Sequence, residues 1–211
     1  MTPATNIYLV RHGQTEWNVA HRMQGHQDSP LTELGLTQAQ WLADAFVDKP
    51  LDLIYSSTSY RAFRTAEIIK NNKNIDIVQL DEFREINLGE WEGQTQTEIK
   101  AAFPESFNHF WNNPEAYQPN GGEAYSDVMN RAYEKLLEII SLNAGKHILI
   151  VTHTVVIKLL MTHFEQKPLT QLWDLPYIHP VCLCHLRVEN DEPTIILHGD
   201  ISHYQMQLTE E

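Results

Sequence analysis

Basic side chains are scarce in this sequence. Lys and Arg together number 15 against 28 Asp and Glu, a formal charge of −13 over 211 residues. Such a field repels polyanions, so neither nonspecific nucleic-acid binding nor docking on an anionic membrane surface is expected. It also means that any anion site must be built locally, from a few arginines held against the overall charge. Cysteine is scarcer still, with only Cys182 and Cys184, two apart in an apolar run. On a strand they share one face, a poor geometry for a mutual disulfide, so no disulfide framework is expected and a reducing compartment fits. Long apolar runs are absent too. None approaches the roughly 20 residues of a membrane-spanning helix, and Met1 to Asn6 lacks the basic-then-apolar order of a secretion signal, so a soluble, cytoplasmic protein is expected. What is present is a 42% hydrophobic content, enough for a full-sized core, and one α/β domain over 1–211 is the default expectation.

Short apolar runs alternate with helical patterns along the chain. Asn6 to Val10 reads as a buried strand running into Arg11-His12-Gly13. Thr32 is a plausible N-cap for a helix with apolar positions at Leu34, Trp41, Leu42, Ala45 and Phe46. Strands are expected at Leu51 to Tyr55 and Ile75 to Leu80, flanking a helix from Thr58 to Lys70. The stretch from Thr95 to Leu142 holds no convincing strand; its aromatic run (Phe103 to Tyr117) reads as core and cap packing, and Asp127 to Ile140 carries a helical stripe. His147 to Thr152 is the most apolar strand and ends at His153, with a helix from Val155 to Phe164 behind it. Cys182 to Val188 and Thr194 to His198 read as two strands around an Asn190-Asp191 turn. This alternation implies a largely parallel sheet wound with helices on both faces, in which ligands bind beyond the carboxyl ends of the strands. Arg11-His12 and His153 fall on that same edge.

The chemistry suggested there is phosphoryl transfer. A neutral imidazole attacks phosphorus when nearby cations keep it unprotonated, and arginine matches phosphate oxygens with paired bonds. His12 beside Arg11 supplies both, Arg61 follows another strand end, and His153 adds a second imidazole that would be protonated or act as a donor to the transferred group. The leaving alcohol needs a proton, and the stretch from Arg84 to Gly93 offers Glu85, Glu90 and Glu92 among apolar neighbours; residue types alone do not choose among them. Bland readings compete at each position: Arg61 paired to Glu67 on a helix surface, Glu85 paired to Arg84, His153 packed in the core. His21 and His26, near the motif, read as a solvent-exposed loop with a cleft-facing placement as the alternative, and Cys182-Leu183-Cys184-His185 as strand packing rather than zinc ligation.

The ordered set Arg11-His12-Gly13-Gln14-Thr15, Trp17-Asn18, Gln24-Gly25, Asp28-Ser29-Pro30-Leu31-Thr32, Gly35, Ser56-Ser57, Arg61-Ala62, Thr65-Ala66, Glu85 to Gly93, Gly121-Gly122-Glu123 and Val151-Thr152-His153 resembles the histidine phosphatase superfamily, which includes the cofactor-dependent phosphoglycerate mutases. Within it, Arg22-Met23-Gln24-Gly25 and Gly199-Asp200-Ile201-Ser202-His203 resemble the bacterial broad-specificity branch, the PhoE type. The resemblance implies a three-layer α/β/α fold with a mostly parallel central sheet and a helical cap insertion over about 95–142, on the active-site side. It implies that His12 is the phosphorylated nucleophile, that Arg11, Arg61, His153 and Asn18 bind the phosphoryl group, that Glu85 is the general acid, and that Gln24 and Gly25 line the substrate pocket. It further implies no metal, no cofactor and small phosphorylated metabolites as partners, with a monomer or homodimer left open. Two departures stand out. Thr154 follows the second histidine where glycine is common, so its backbone differs or it caps the next helix. Ile86-Asn87-Leu88-Gly89-Glu90-Trp91 also lacks the tyrosine- and glycine-rich block of the mutases, which favours hydrolase over mutase. A catalytically idle protein on the same fold is the reading from another class, and the presence of all five key residues speaks against it.

Overall fold

The structure, a computed structural model, describes residues 3–206. Its sheet has six strands in the order β3-β2-β4-β1-β5-β6, where β1 is Thr5–Arg11, β2 Leu53–Ser57, β3 Ile77–Leu80, β4 His147–Thr152, β5 Leu183–Glu189 and β6 Glu192–Asp200. The first four are parallel to one another; β5 is antiparallel to β1, and β6 to β5. The central pair, β1 and β4, is apolar nearly throughout because both faces are covered, as parallel sheets require. Alternate residues divide between the faces. Ile7, Leu9, Ile148 and Ile150 face one core, built with helices α6 (Tyr125–Leu142) and α7 (Thr154–Phe164). Tyr8, Val10, Leu149 and Val151 face the other, built with α2 (Glu33–Ala45) and α3 (Tyr60–Lys70), the one-turn α1 (Glu16–Val19) preceding them in the chain. The result is the expected three-layer α/β/α arrangement. Each completely buried isoleucine or leucine on β1 and β4 contributes about 1.5–3 kcal/mol.

Between Glu92 and Leu142 the backbone forms helices and no strand, with α4 (Gln96–Ala102) and α5 (Pro104–Asn112) preceding α6. The aromatic run packs as expected: Trp91 meets Phe103, Phe107, Phe110 and Tyr117, and Trp173 joins Phe110, Trp111 and Tyr125 from the far side of the chain. Among the described residues no helix is long and apolar enough to cross a membrane.

Local signals hold at several ends. Thr32 caps α2 through its hydroxyl, which accepts from Gly35 N–H at 3.0 Å, and Asn190 and Asp191 both take positive φ (51° and 64°) in the tight turn between β5 and β6. Other expectations need correction. Within α2, Leu34 and Ala45 face solvent, while Gly35, Gln38 and Ala39 turn inward. Strand β2 lies two residues later than the apolar run implies, since Asp52 accepts from His147 N–H while the fully buried Ser56 and Ser57 complete the strand. Strand β3 likewise starts at Ile77. Thr154 is not the N-cap of α7 but its first helical residue; His153, extended at φ −132° and ψ 172°, is the cap. A β-branched residue is therefore unstrained at position 154.

Candidate active site

Register places the carboxyl ends of the parallel strands side by side. Arg11 pairs with Thr152 and Ser56 with Val151, so the chain leaves β1 into His12 and β4 into His153, and leaves β2 towards Arg61, all at one edge. His12 N–H donates to the Thr152 carbonyl at 3.0 Å, extending the ladder past the strand. The His12 and His153 rings then lie 5.2 Å apart between centroids, both buried. Gly13 permits this turn because a Cβ there would come within 2.5 Å of the Gly35 carbonyl oxygen, so the loop passes directly against the start of α2.

The tautomer of His12 follows from its single contact. Its Nδ1 lies 2.7 Å from the Gly13 carbonyl, which only accepts, so Nδ1 carries the proton and Nε2 keeps the lone pair. Burial, then the Arg61 and Arg11 guanidinium groups, hold its pKa well below the ordinary 6.5 against the opposing pull of that carbonyl. The ring stays neutral and nucleophilic near neutrality.

Arg11 donates from Nη1 to the Ile178 carbonyl at 2.7 Å, and its buried Nε has no acceptor. Arg61, only 1% exposed, donates to the carbonyls of Gln27 (2.7 Å) and Gly25 (2.9 Å) and to Asp28 (3.1 Å), while its Nε is likewise buried without an acceptor. It is not the surface partner of Glu67; that role belongs to Arg64. His153 contacts the Ser57 hydroxyl through Nε2 at 2.8 Å, and its buried Nδ1 is unpartnered. Ser57 Oγ accepts from Ser59 N–H, and among the described residues His153 Nε2 is the one acceptor for its own proton, an arrangement that puts the ring proton on Nδ1. Burial, Arg61 and His12 hold the His153 pKa well below 6.5, so of the two roles expected for it the neutral donor is the one its surroundings favour. Buried polar nitrogens without partners are rare and costly. Here, among the described residues, three of them belong to the side chains nearest His12 in charge or ring contact: Arg11, Arg61 and His153.

Among the three glutamates, the structure distinguishes one. Glu90 accepts from the Asn120 amide, and Glu92 from the backbone N–H groups of His26, Gln27 and Leu88. Glu85 instead lies within the field of Arg61 and Arg11, with Oε1 accepting from Ile86 N–H (3.0 Å) and Val155 N–H (3.2 Å), the latter at the start of α7. Burial raises its pKa above 4.5, outweighing Ile86 N–H, Arg61, Val155 N–H and Arg11. No ion pair joins it to Arg84, which donates to the His26 carbonyl.

Asn18 holds Thr15 N–H through Oδ1 at 3.0 Å and half-exposes its side chain beside the His12 loop. Gln24 is buried beside the His12 loop. Its amide is used at both ends, donating to Thr15 Oγ1 (2.8 Å) and accepting from Ser29 Oγ (3.2 Å), so it braces the loop. Gly25 acts through its carbonyl on Arg61. His26 is half-buried rather than free in a loop, with Nε2 3.0 Å from the Glu85 carbonyl. Asp28, Ser57 and His26 are the partners residue-by-residue reading misses; the only signal for Ser57 is a polar pair closing an otherwise apolar strand.

Comparison with known proteins agrees with this geometry. Residues 7–201 match the family model of the histidine phosphatase superfamily (branch 1). Phosphoserine phosphatase 1 of Hydrogenobacter thermophilus is 33% identical over 167 residues, 79% of each chain. The solved structure of Bacillus stearothermophilus YhfR is 45% identical, with a TM-score of 0.93 over 94% of this chain and 98% of that one. A phosphoserine phosphatase from Entamoeba histolytica, solved in complex with 3-phosphoglyceric acid, is 26% identical, with a TM-score of 0.84 over 94% and 98% of the two chains. The chain therefore belongs to the histidine phosphatase superfamily, branch 1, and is a phosphomonoesterase of that family.

Proposed function

We propose that this chain hydrolyses small phosphomonoesters by two in-line displacements at His12. In the first, the Nε2 lone pair attacks phosphorus as the ester P–O bond breaks, and Glu85 gives its proton to the departing alkoxide. In the second, Glu85, now a carboxylate, takes a proton from water as the water oxygen attacks phosphorus; the P–N bond breaks and its electron pair returns to Nε2. Arg11, Arg61, Asn18 and the Nδ1–H of His153 hold the phosphoryl oxygens, since such reactions need positioning and charge neutralisation above all. The observation that carries this reading is that Arg11, Arg61 and His153, the three groups whose charge or ring acts on His12, each keep a buried nitrogen without a partner among the described residues, while Nδ1 of His12 is locked. With guanidinium groups in the position a cation would take, the reaction is metal-independent. The chain would act as one domain with the helices of 95–142 on the active-site side, a reading supported by the reach of α6 to the Glu85 loop through Arg131.

The proposed substrate range is broad, as in the PhoE-type branch, and includes phosphoserine and 3-phosphoglycerate, after the relatives above. A screen of phosphoserine, phosphoglycerates, sugar phosphates, nucleotides and an aryl phosphate, run with EDTA, is expected to release inorganic phosphate from several compounds at undiminished rate. Activity lost to the chelator overturns metal independence, and isomerisation of 3-phosphoglycerate without phosphate release replaces hydrolysis by a mutase.

The two pKa directions set the pH dependence. His12 must be neutral, and its lowered pKa puts the acid limb of kcat/KM below the ordinary histidine range. Glu85 must be protonated in the first step, and activity falls as pH rises through its elevated pKa. Glu85→Gln is expected to erase the alkaline limb attributable to the enzyme and leave the acid limb in place. An unchanged profile in that variant assigns the acid elsewhere.

A further inference from the structure

Arg131, on the inner face of α6, has no part in the reaction described above, yet it makes more polar contacts than either arginine at the phosphoryl site. Its Nη1 donates to the carbonyls of Glu82 (2.8 Å) and Arg84 (2.7 Å), and its Nη2 to the carbonyl of Glu85 (3.0 Å). Its Nε and Nη2 also grip both oxygens of Glu123, at 2.8 and 2.9 Å. Glu123 in turn accepts from Asn87 N–H at 2.8 Å, so the pair clamps the loop on both sides of Glu85. His26 Nε2 shares the Glu85 carbonyl and lies 3.8 Å from the same Glu123 oxygen that Arg131 holds.

The link to the carboxyl group runs through one peptide. A trans peptide is planar, with its C=O and N–H pointing in opposite directions. The carbonyl of the Glu85–Ile86 peptide faces Arg131 and His26; its N–H points the other way and donates to Glu85 Oε1 at 3.0 Å. Whatever holds the carbonyl therefore aims the N–H that holds the carboxyl. The remaining anchor, Val155 N–H, belongs to α7, to which Arg131 makes no hydrogen bond among the described residues.

We propose that Arg131 is a positioning residue for proton transfer: by gripping the carbonyls of Glu82, Arg84 and Glu85 it sets the Glu85–Ile86 peptide, and through it the carboxyl that protonates the leaving group. This rests on Glu85 being the acid. Its signature is dependence on the leaving group, which a merely structural role does not produce. An alkoxide must be protonated as it leaves, whereas 4-nitrophenolate departs without a proton.

The test compares kcat/KM on glycerol phosphate and on 4-nitrophenyl phosphate for the wild type, Glu85→Gln, Arg131→Gln and Arg131→Lys, since kcat/KM reports the step that expels the leaving group. Glu85→Gln is expected to lower the glycerol phosphate value by about 10²–10⁴-fold and the aryl value far less. Arg131→Gln is expected to lower the glycerol phosphate value by about 10- to 100-fold, as sub-ångström misplacement of a catalytic group does, and to shift the alkyl-to-aryl ratio at least about tenfold in the same direction. Arg131→Lys keeps the charge but lacks the planar fork, and is expected to shift the ratio less; it carries the test if the glutamine variant does not fold. Equal losses on both substrates in the folded Arg131 variants, beside a discriminating Glu85→Gln, overturn the proposal and leave the acid in place. A Glu85→Gln that fails to discriminate overturns the acid assignment, and the proposal with it.

Discussion

Replacing His12 by alanine is expected to reduce turnover on every monoester by about 10⁵-fold or more, the scale of nucleophile deletions in covalent catalysis. The loss should be indifferent to the leaving group, because without Nε2 there is no first displacement. The fold should survive: His12 makes one side-chain hydrogen bond, to Gly13, and its ring already sits beside two guanidinium groups. Stopping wild-type enzyme in alkali during turnover of a labelled substrate should trap phosphate on the protein, as an acid-labile, base-stable adduct. His12→Ala should trap none. Turnover within tenfold of wild type, or label on the alanine variant, would falsify the nucleophile assignment.

Arg61→Lys is expected to cost about 10³-fold in kcat/KM on alkyl and aryl substrates alike, because the guanidinium neutralises the transferred group itself rather than the leaving oxygen. Lysine retains the charge and loses the fork. It also cannot reach Gly25 O, Gln27 O and Asp28 together, as Arg61 does, so the variant should be less stable by about 1–3 kcal/mol. Phosphate or vanadate should raise the melting temperature of the wild type and leave that of the variant nearly unmoved. A lysine variant with a third of normal activity would show that charge suffices and that the fork has no part in binding.

Much of the site is legible in the amino-acid order because it sits where strands stop. Runs such as Ile148–Val151 are apolar for the sake of two covered faces, and the first polar residues beyond them mark the edge at which a parallel sheet binds its ligands. That logic finds His12, His153 and Arg61, and at β2 it errs only in the strand's bounds, because the last two residues are buried serines that break the apolar pattern while remaining in the sheet. The choice of Glu85 over Glu90 and Glu92 is not legible, since all three share a loop and differ only in where that loop points them. Gln24 lies among the motif residues yet turns inward to Thr15 and Ser29. Asp28 pairs with Arg61 across 33 positions, and Arg131 grips a loop 46 or more positions earlier in the chain. Pairings of that range leave no periodic trace.

Strand β5 runs against its neighbours, and this gives the molecule two ends of unlike character. Its beginning lies at the catalytic edge, where Val181 N–H donates to the Arg11 carbonyl, and its far end pairs Val188 with Thr5. The Asn190-Asp191 turn therefore stands at the pole opposite the catalytic mouth, exposed and already in a conformation that glycine tolerates. A dye, a tether or an inserted peptide fixed there leaves the mouth facing outward. The segment from Trp173 to Cys182, equally a loop by appearance, allows no such liberty, because Ile178 holds Arg11 from within it.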